Sequence, residues 1–500
     1  MNLSQANRIA ILISIASILA AFFVSENVYE QLPHVEDEFS YIWQAQVFAR
    51  GQAFTPSPAH PKLLVIPFVV DYGGLRFSKY PPGWPLLLAL GVLSGLTSWI
   101  NPILGGVGVW LTYRLGQKLF DHRTALLAAG LMATSPFFLL NSGNLLSHPW
   151  SLVLSLSLTL AWLDLFFEKE SSSNANRVPA WIKVWVAGLS LGVLFLTRPI
   201  TAIGVGLPFF IHGLNLLRRG GRKIRWQILL IGFIASGIAT LLPVWQFLLT
   251  GNPTQNLYEL WWQYDQIGFG DGIGTQPGGH NFFWVINNLV LSLKSGSGDL
   301  FGWGGISWLF IPFGLWAVRR NRLVEPVIGV PAGLILAYSI YWISPNLYGP
   351  RYYYEGLVSS CLLTAVGIFW MEEWSTKSES PRLPRAIVPV IVALLVGFNF
   401  LAYMPARFDS MRNLYNINHA QQTPFLSDEA QTLTPALVIV HAQEWTDCAG
   451  LLPLQDPWLT TSFIFACDTD DSAETIQQDE YPDRKIIHYD PEIREVKLEP

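Results

Sequence analysis

Residues 34–46, HVEDEFSYIWQAQ, place three consecutive carboxylates, Glu36, Asp37 and Glu38, directly after an apolar run at 8–25. At a membrane surface three adjacent acids repel one another and anionic head groups, so such a cluster is solvated, paired or used. Two readings follow. One is an acid-rich helix start that complements the helix dipole. The other is a general base held at head-group depth, where an acceptor hydroxyl loses its proton as it attacks. The surrounding stretch 37–49 reads as an interfacial helix, with Gln44 and Gln46 set between aromatics.

Composition identifies the setting. Of 500 residues 51% are apolar and only 13% charged, against roughly a quarter charged in soluble proteins. The 21 Trp and 17 Tyr suit a chain with many membrane–water crossings. Eleven spans are expected near 8–25, 97–118, 123–142, 148–167, 181–197, 199–217, 226–249, 301–319, 323–343, 353–371 and 386–404. Each approaches the ~20 residues that cross a ~30 Å hydrocarbon core. The first lacks a small-residue cleavage site and reads as an anchor rather than a signal peptide. The fold class is therefore an all-α polytopic membrane protein.

A cytoplasmic N-terminus makes the basic residues coherent. Eighteen fall on that side: Arg8, Arg114, Lys118, Arg123, Lys169, Arg177, Lys183, five between 218 and 225, Arg319, Arg320, Arg322, Lys377, Arg382 and Arg385. The opposite loops hold seven: Arg50, Lys62, Arg76, Lys79, Arg198, Lys294 and Arg351. This asymmetry turns 26–96, 250–300, 344–352 and the tail outward. Residues 1–404 form the membrane module, with 26–96 its first outer loop. Stretches 82–95 and 281–295 read as further interfacial helices. Residues 405–500 carry 17 acids and 6 bases. Their β-rich runs at 436–440, 462–466 and 485–489 suggest a small α/β domain. A basic body with an acidic tail excludes a nucleic-acid partner. Cys448 and Cys467 lie in that tail, as a disulfide in an oxidising compartment or as two free thiols.

The second chemical stretch is 77–85, FSKYPPGWP. Two prolines stiffen it, Trp84 suits the interface, and Lys79 is placed to meet a lipid phosphate and stabilise its growing charge. The alternative is a snorkelling lysine. Arg198 in a short outer hairpin and Arg351 among tyrosines are further phosphate contacts or structural ion pairs. Asp265, before the glycine-rich 268–280 segment, helps shape a substrate pocket or belongs to an ordered loop. His34, His148 and His280 also face outward. A divalent metal with Asp37 or Glu38 is the alternative to hydrogen-bonding histidines, but no ligand spacing repeats, and no resident metal or other cofactor is expected.

Asp37-Glu38 followed by Tyr41 and Ala45, with Lys79 and Pro81-Pro82 further on, resembles the GT-C superfamily of membrane glycosyltransferases, in particular protein O-mannosyltransferases and aminoarabinose-to-lipid A transferases. The likeness continues through Ser135-Pro136, Leu145-Leu146-Ser147-His148, Leu196-Thr197-Arg198-Pro199, Asp265 with Gly268-Phe269-Gly270, Gly279-His280, and Gly349-Pro350-Arg351-Tyr352-Tyr353. The resemblance implies a catalytic carboxylate at Asp37, adjoined by Glu38, and a donor-phosphate contact at Lys79; Arg351 and Arg198 join them as candidates from their outward position alone. Tyr41, His148, Asp265, His280 and Tyr352 are the candidate substrate pocket. This chain departs from relatives in having Ser78 before Lys79, Tyr80 after it, and Asn144 and His148 where a second Asp is common.

The implied activity is transfer of a hexose or pentose from a polyprenyl-phosphate donor to a lipid, glycan or protein acceptor on the outer face, with membrane lipid as surroundings. A single displacement inverts the anomeric centre. A retaining double displacement needs a second carboxylate as nucleophile, and Glu38 points about 100° away from Asp37 on a helix. The implied home is a bacterial inner membrane, N-terminus cytoplasmic and C-terminus extracytoplasmic. A transporter or flippase of lipid-linked sugars and a non-catalytic assembly partner are the alternatives. Transporters place ionisable groups at mid-membrane, whereas the acids Asp164, Glu325 and Glu355 lie near span ends.

Overall fold

A computed structural model describes residues 2–167, 178–376, 386–469, 481–491 and 495–498. Lys169, Arg177, Lys377, Arg382 and Arg385 lie outside the described residues. Helices come in chain order: α1 (Leu3–Asn27), α2 (Glu36–Ala49), α3 (Gly83–Ser94), α4 (Thr97–Leu119), α5 (His122–Ala133), α6 (Pro136–Gly143) and α7 (His148–Phe166). There follow α8 (Ala180–Thr197), α9 (Pro199–Arg219), α10 (Arg222–Ala239), α11 (Leu241–Thr250), α12 (Phe282–Asp299), α13 (Ile311–Val318), α14 (Glu325–Tyr338), α15 (Leu357–Thr376) and α16 (Ile387–Phe398).

Among the described residues seven helices are long and apolar enough to cross a membrane, eight if α5 and α6, bent by 58°, form one span. The bend falls where Thr134 and Ser135 leave helical geometry and Pro136 opens α6, since proline cannot supply the amide a continuous helix needs. The expected spans at 301–319 and 323–343 fall on shorter helices, α13 and α14. Gly302, Gly304 and Gly305 all adopt positive φ, so an apolar stretch becomes a turn instead of helix. The last long helix runs on to Asp409, past the expected boundary at 404. The stretches 37–49, 82–95 and 281–295 are helical, as α2, α3 and α12.

The first long loop also contains a small antiparallel sheet that the sequence reading missed: β1 (Thr55–Pro56), β2 (Val69–Tyr72) and β3 (Leu75–Ser78), in the order β1-β3-β2. Gly73 and Gly74, at φ +59° and +79°, make the two-residue turn between β2 and β3. Side-chain-free residues adopt that conformation without penalty, and such turns match strand twist.

In the tail β4 (Ala436–His441), β5 (Phe463–Asp468), β6 (Lys485–Asp490) and β7 (Glu495–Leu498) form a sheet in the order β5-β4-β6-β7. β4 pairs in parallel with β5 and β6, and β7 is antiparallel. Cys467, within β5, is disulfide-bonded to Cys448. Closing a loop of that size restricts the unfolded chain. Cys448→Ser is expected to cost the tail about 2–4 kcal/mol, visible as faster proteolysis within 405–500 with little change in the helices.

The tail and the first loop pack together. Phe39, Trp43 and Val47 of α2 share a core with Ile417, Ala449 and Leu452. The Cys467 amide donates to the Leu63 carbonyl at 2.6 Å, and Arg50 pairs with Asp456 at 3.1 Å. Both segments thus lie at one end of the helical body.

Candidate active site

α2 has two faces. Phe39 and Trp43 point to the tail core, while Asp37 and Tyr41, four residues apart and so on one side of a helix, face α7 and the loop after β3. The helix start is fixed by Glu38. Its carboxylate accepts from the backbone amides of His34 (3.0 Å), Val35 (3.2 Å) and Leu145 (2.7 Å). Both oxygens are engaged by backbone, so Glu38 ties α2 to the α6–α7 turn, and Asp37 acts on it only through space.

Burial pushes the Glu38 carboxyl up to about 7, despite those amides. The folded chain then holds its proton more tightly than the unfolded chain. Stability contributed by this group rises as pH falls from about 7 toward the ordinary 4.5, by about 3 kcal/mol in all. Glu38→Gln is expected to flatten that part of the melting-temperature profile between pH 5 and 8.

Asp37 is the more accessible acid, its side chain 18% exposed. One oxygen accepts from Arg351 Nη2 at 3.1 Å and the other from the Tyr80 hydroxyl. Burial alone would raise its pKa, but Arg351, the Tyr80 hydroxyl and Lys79 together outweigh it and hold the carboxyl below its ordinary value.

The β2–β3 hairpin delivers Lys79. Ser78 ends β3, its amide donating to Gln44 Oε1 at 2.9 Å and its hydroxyl sharing a 2.7 Å hydrogen bond with Ser40 of α2. Lys79 then turns inward, 2% exposed, with Nζ 3.1 Å from Asp265 Oδ2 and 3.4 Å from the Phe68 ring centroid. The rings of Tyr258 and Trp262 complete an aromatic box at 5.1 and 4.9 Å. Burial pulls the ammonium pKa down, and Asp265 and Asp37 oppose that. Asp265 also accepts from Tyr341 Oη (2.8 Å) and Trp342 Nε1 (3.1 Å).

α3 follows at once. A Cβ on Gly83 would lie 2.7 Å from the Leu196 carbonyl carbon, so glycine lets α3 close on the α8–α9 junction. Trp84, expected at the interface, is instead buried, its Nε1 donating to the Leu145 carbonyl at 2.9 Å. The indole finds a protein acceptor there and needs no interfacial water.

At that junction Arg198 Nη1 pairs with Glu355 Oε1 (3.1 Å) and Nη2 donates to Tyr338 Oη (3.1 Å). Tyr338 stacks on Tyr352 with ring centroids 4.6 Å apart. His148, first residue of α7, is buried against Tyr354 with both ring nitrogens lacking a protein partner among the described residues. Asp37, Lys79, Arg351, Asp265 and Tyr41 are thus gathered into one cluster, with Arg198, His148 and Tyr352 adjoining through Glu355 and Tyr338.

His280 stands apart. It contacts the Ser339 carbonyl (2.9 Å) and stacks on Phe269 (5.3 Å), bracing the glycine-rich loop whose Gly268 and Gly270 adopt φ +127° and +121°. The His34 ring meets the carbonyls of Leu32 and Ile417. Among the described residues no three His, Cys, Asp or Glu side chains are grouped to hold a metal. Sequence reasoning missed Tyr80 and Glu355; Tyr80 stood in view between Lys79 and Pro81.

No protein-family model matches the chain, and no curated protein matches it in sequence. Solved structures do resemble it. ArnT from Cupriavidus metallidurans, bound to undecaprenyl phosphate, is 15% identical, covering 96% of this chain and 92% of that one, with TM-score 0.58. The archaeal oligosaccharyltransferase AglB from Archaeoglobus fulgidus, in complex with an inhibitory peptide and a dolichol-phosphate, is 13% identical, covering 97% of this chain and 69% of that one, with TM-score 0.52. At such identities the likeness speaks for architecture alone. That architecture, a body of apolar helices with a small sheet-bearing tail, is the fold this chain shares with ArnT and AglB.

Proposed function

We propose that this chain transfers a sugar from a polyprenyl-phosphate donor to an acceptor hydroxyl or amine on the outer face of a membrane. The observation that carries the reading is the convergence of Asp37 with Arg351, at 3.1 Å and 314 residues away in sequence, beside buried Lys79. A phosphate leaving group needs cations and an incoming nucleophile needs a base; this cluster offers both.

In the proposed reaction the acceptor oxygen or nitrogen forms a bond to the anomeric carbon as the carbon–oxygen bond to phosphate breaks. The phosphate departs with the electron pair, and the acceptor proton passes to Asp37. Arg351 links the two events. While it pairs with Asp37 it lowers the basicity of the carboxylate. A donor phosphate drawing the guanidinium away raises that basicity, and a protonated Asp37 leaves Arg351 free to balance the new charge. Lys79 and Arg198 add positive potential, and the aromatic box keeps out water that would hydrolyse the donor. Glu38 is a positioning residue in this reading, and one displacement gives inversion.

An outward C-terminus is supported by the Lys/Arg distribution and by the Cys448–Cys467 pair, since disulfides persist in oxidising compartments. A bacterial inner membrane and separate units at 1–404 and 405–500 belong to the same proposal. Purified protein in liposomes, given polyprenyl-phosphate carrying labelled sugar and candidate acceptors, is expected to release sugar-free polyprenyl phosphate and labelled acceptor. Movement of intact donor across the bilayer without that cleavage would replace the transferase reading with a flippase.

A further inference from the structure

Of the two glutamines set between aromatics on α2, Gln44 is engaged within the protein. It accepts from the Ser78 amide and donates to the Ala53 carbonyl, both at 2.9 Å. Gln46 hydrogen-bonds to no protein group among the described residues and lines a cavity of about 270 Å³. Nine residues at about 100° each place Gln46 on the opposite side of the helix from Asp37, so this cavity is separate from the cluster described above.

Three parts of the chain build it. α2 contributes Trp43 and Gln46, the start of α4 contributes Thr97 and Ser98, and the tail contributes Gln455 and Asp456. Its volume equals about nine waters at ~30 Å³ each. That is close to the ~300 Å³ at which small-molecule sites begin, and it suits a single six-membered ring with its hydroxyls.

The wall carries both kinds of surface that such a ring presents. Ile42, Ile66 and Leu452 are apolar and match its C–H faces. The polar groups lack partners. Trp43 is 5% exposed and Gln455 7%. The Trp43 indole N–H meets no protein acceptor among the described residues, and Gln455 uses only its Oε1, which accepts from the Phe465 amide at 2.9 Å. The hydroxyls of Thr97 and Ser98 are unpartnered in the same sense. A buried indole N–H ordinarily finds an acceptor, so these groups call for a ligand that brings its own donors and acceptors.

The charged side chains of the wall are already held. Arg76 pairs with Asp71 at 3.1 Å and donates to the Leu64 carbonyl at 2.6 Å, and Asp456 pairs with Arg50 at 3.1 Å. Neither calls for a counter-ion, and among the described residues of the wall no unpaired cation waits for a lipid phosphate. Amide, hydroxyl and indole groups over an apolar floor fit hydroxyls set around a C–H surface.

We propose that this cavity is a carbohydrate-binding site. It takes one uncharged sugar residue of a glycan, on the side of the membrane that the tail occupies, and the sugar bridges the first loop and the tail. The site stands independently of the transferase reading, because it lies on the other face of α2 and needs no step of the reaction.

The test is saturation-transfer NMR on full-length protein in nanodiscs, without any sugar donor. The probes are the methyl glycosides of glucose, galactose, mannose and N-acetylglucosamine. At least one is expected to bind. Gln46→Leu removes a half-buried amide that no protein group uses, and Trp43→Phe removes the indole N–H. Each is expected to weaken binding about fivefold, the worth of one neutral hydrogen bond. Because loop and tail close on the same sugar, the bound glycoside should also slow proteolysis within 405–500. Nanodiscs containing glucosyl diacylglycerol separate the sources: protection without added glycoside identifies a glycolipid, and protection by the soluble glycosides alone identifies a soluble glycan. Absence of binding by all four glycosides together with absence of protection by the glucosyl lipid overturns the assignment. So does binding that both variants leave unchanged. Neither result touches the transferase reading, since no transfer is measured.

Discussion

Asp37→Asn is expected to lower the rate of sugar transfer by about 10²–10⁴-fold, the range a positioned general base supplies. The amide keeps the size of the carboxylate and can still accept from the Tyr80 hydroxyl, so helix α2 stays in place through Glu38 and the tail core. What it loses is the capacity to take a proton and the charge that pairs with Arg351. The loss should fall on kcat, with donor KM changed much less, because Arg351 remains available to the phosphate. Single-turnover transfer at saturating donor, with a thermal melt beside it, separates the two. A variant that melts like the wild type and transfers within threefold of it would remove Asp37 from the reaction.

The second large effect concerns the Lys79–Asp265 pair. Both side chains are 2% exposed, and removing one partner of a buried pair typically costs about 3–5 kcal/mol because the other is stranded. Lys79→Met and Asp265→Asn are each expected to destabilise the protein on that scale. The double variant should recover most of the loss, since neither charge is then left alone. Transfer should not recover with it, because the proposed reaction needs the positive charge of Lys79 beside the donor phosphate. Melting temperature and transfer rate would therefore part company in the double variant. Recovery of both would make Lys79 a structural residue only.

These two predictions draw unequally on what the sequence discloses. The chemistry-bearing segments were readable locally: an acid triplet after an apolar run, and a lysine before a proline pair. So were the three tail strands: the β-rich runs at 436–440 and 485–489 lie within β4 and β6, and that at 462–466 begins one residue before β5. The partners were not readable, because contact is set by tertiary packing. Asp265 meets Lys79 across 186 residues and Glu355 meets Arg198 across 157, and nothing in the spacing of either announces the pair.

Glu38 illustrates the intermediate case. Its position in the third place of a helix is a capping position, and its distinction from Asp37 was visible as the 100° step between neighbours. That its second oxygen reaches Leu145 required the fold. The hairpin presenting Lys79 carries a local signal, Gly73-Gly74 between β-rich runs, set in a loop whose longer apolar stretches favour interfacial helices. At 301–319 hydrophobicity was a poor guide to helix length, since glycines at positive φ decide the backbone there.

The tail's grip on the first loop has a consequence for the order of biosynthesis. His34, at the approach to the helix bearing Asp37, is met by the Ile417 carbonyl 383 residues later in the chain. That helix leaves the ribosome early and can be tied to Leu145 through Glu38, but its packing against Ile417, Ala449 and Leu452 forms only after the tail has been translated. A nascent chain therefore carries Asp37 on a helix that lacks one of its packing faces until the tail has folded.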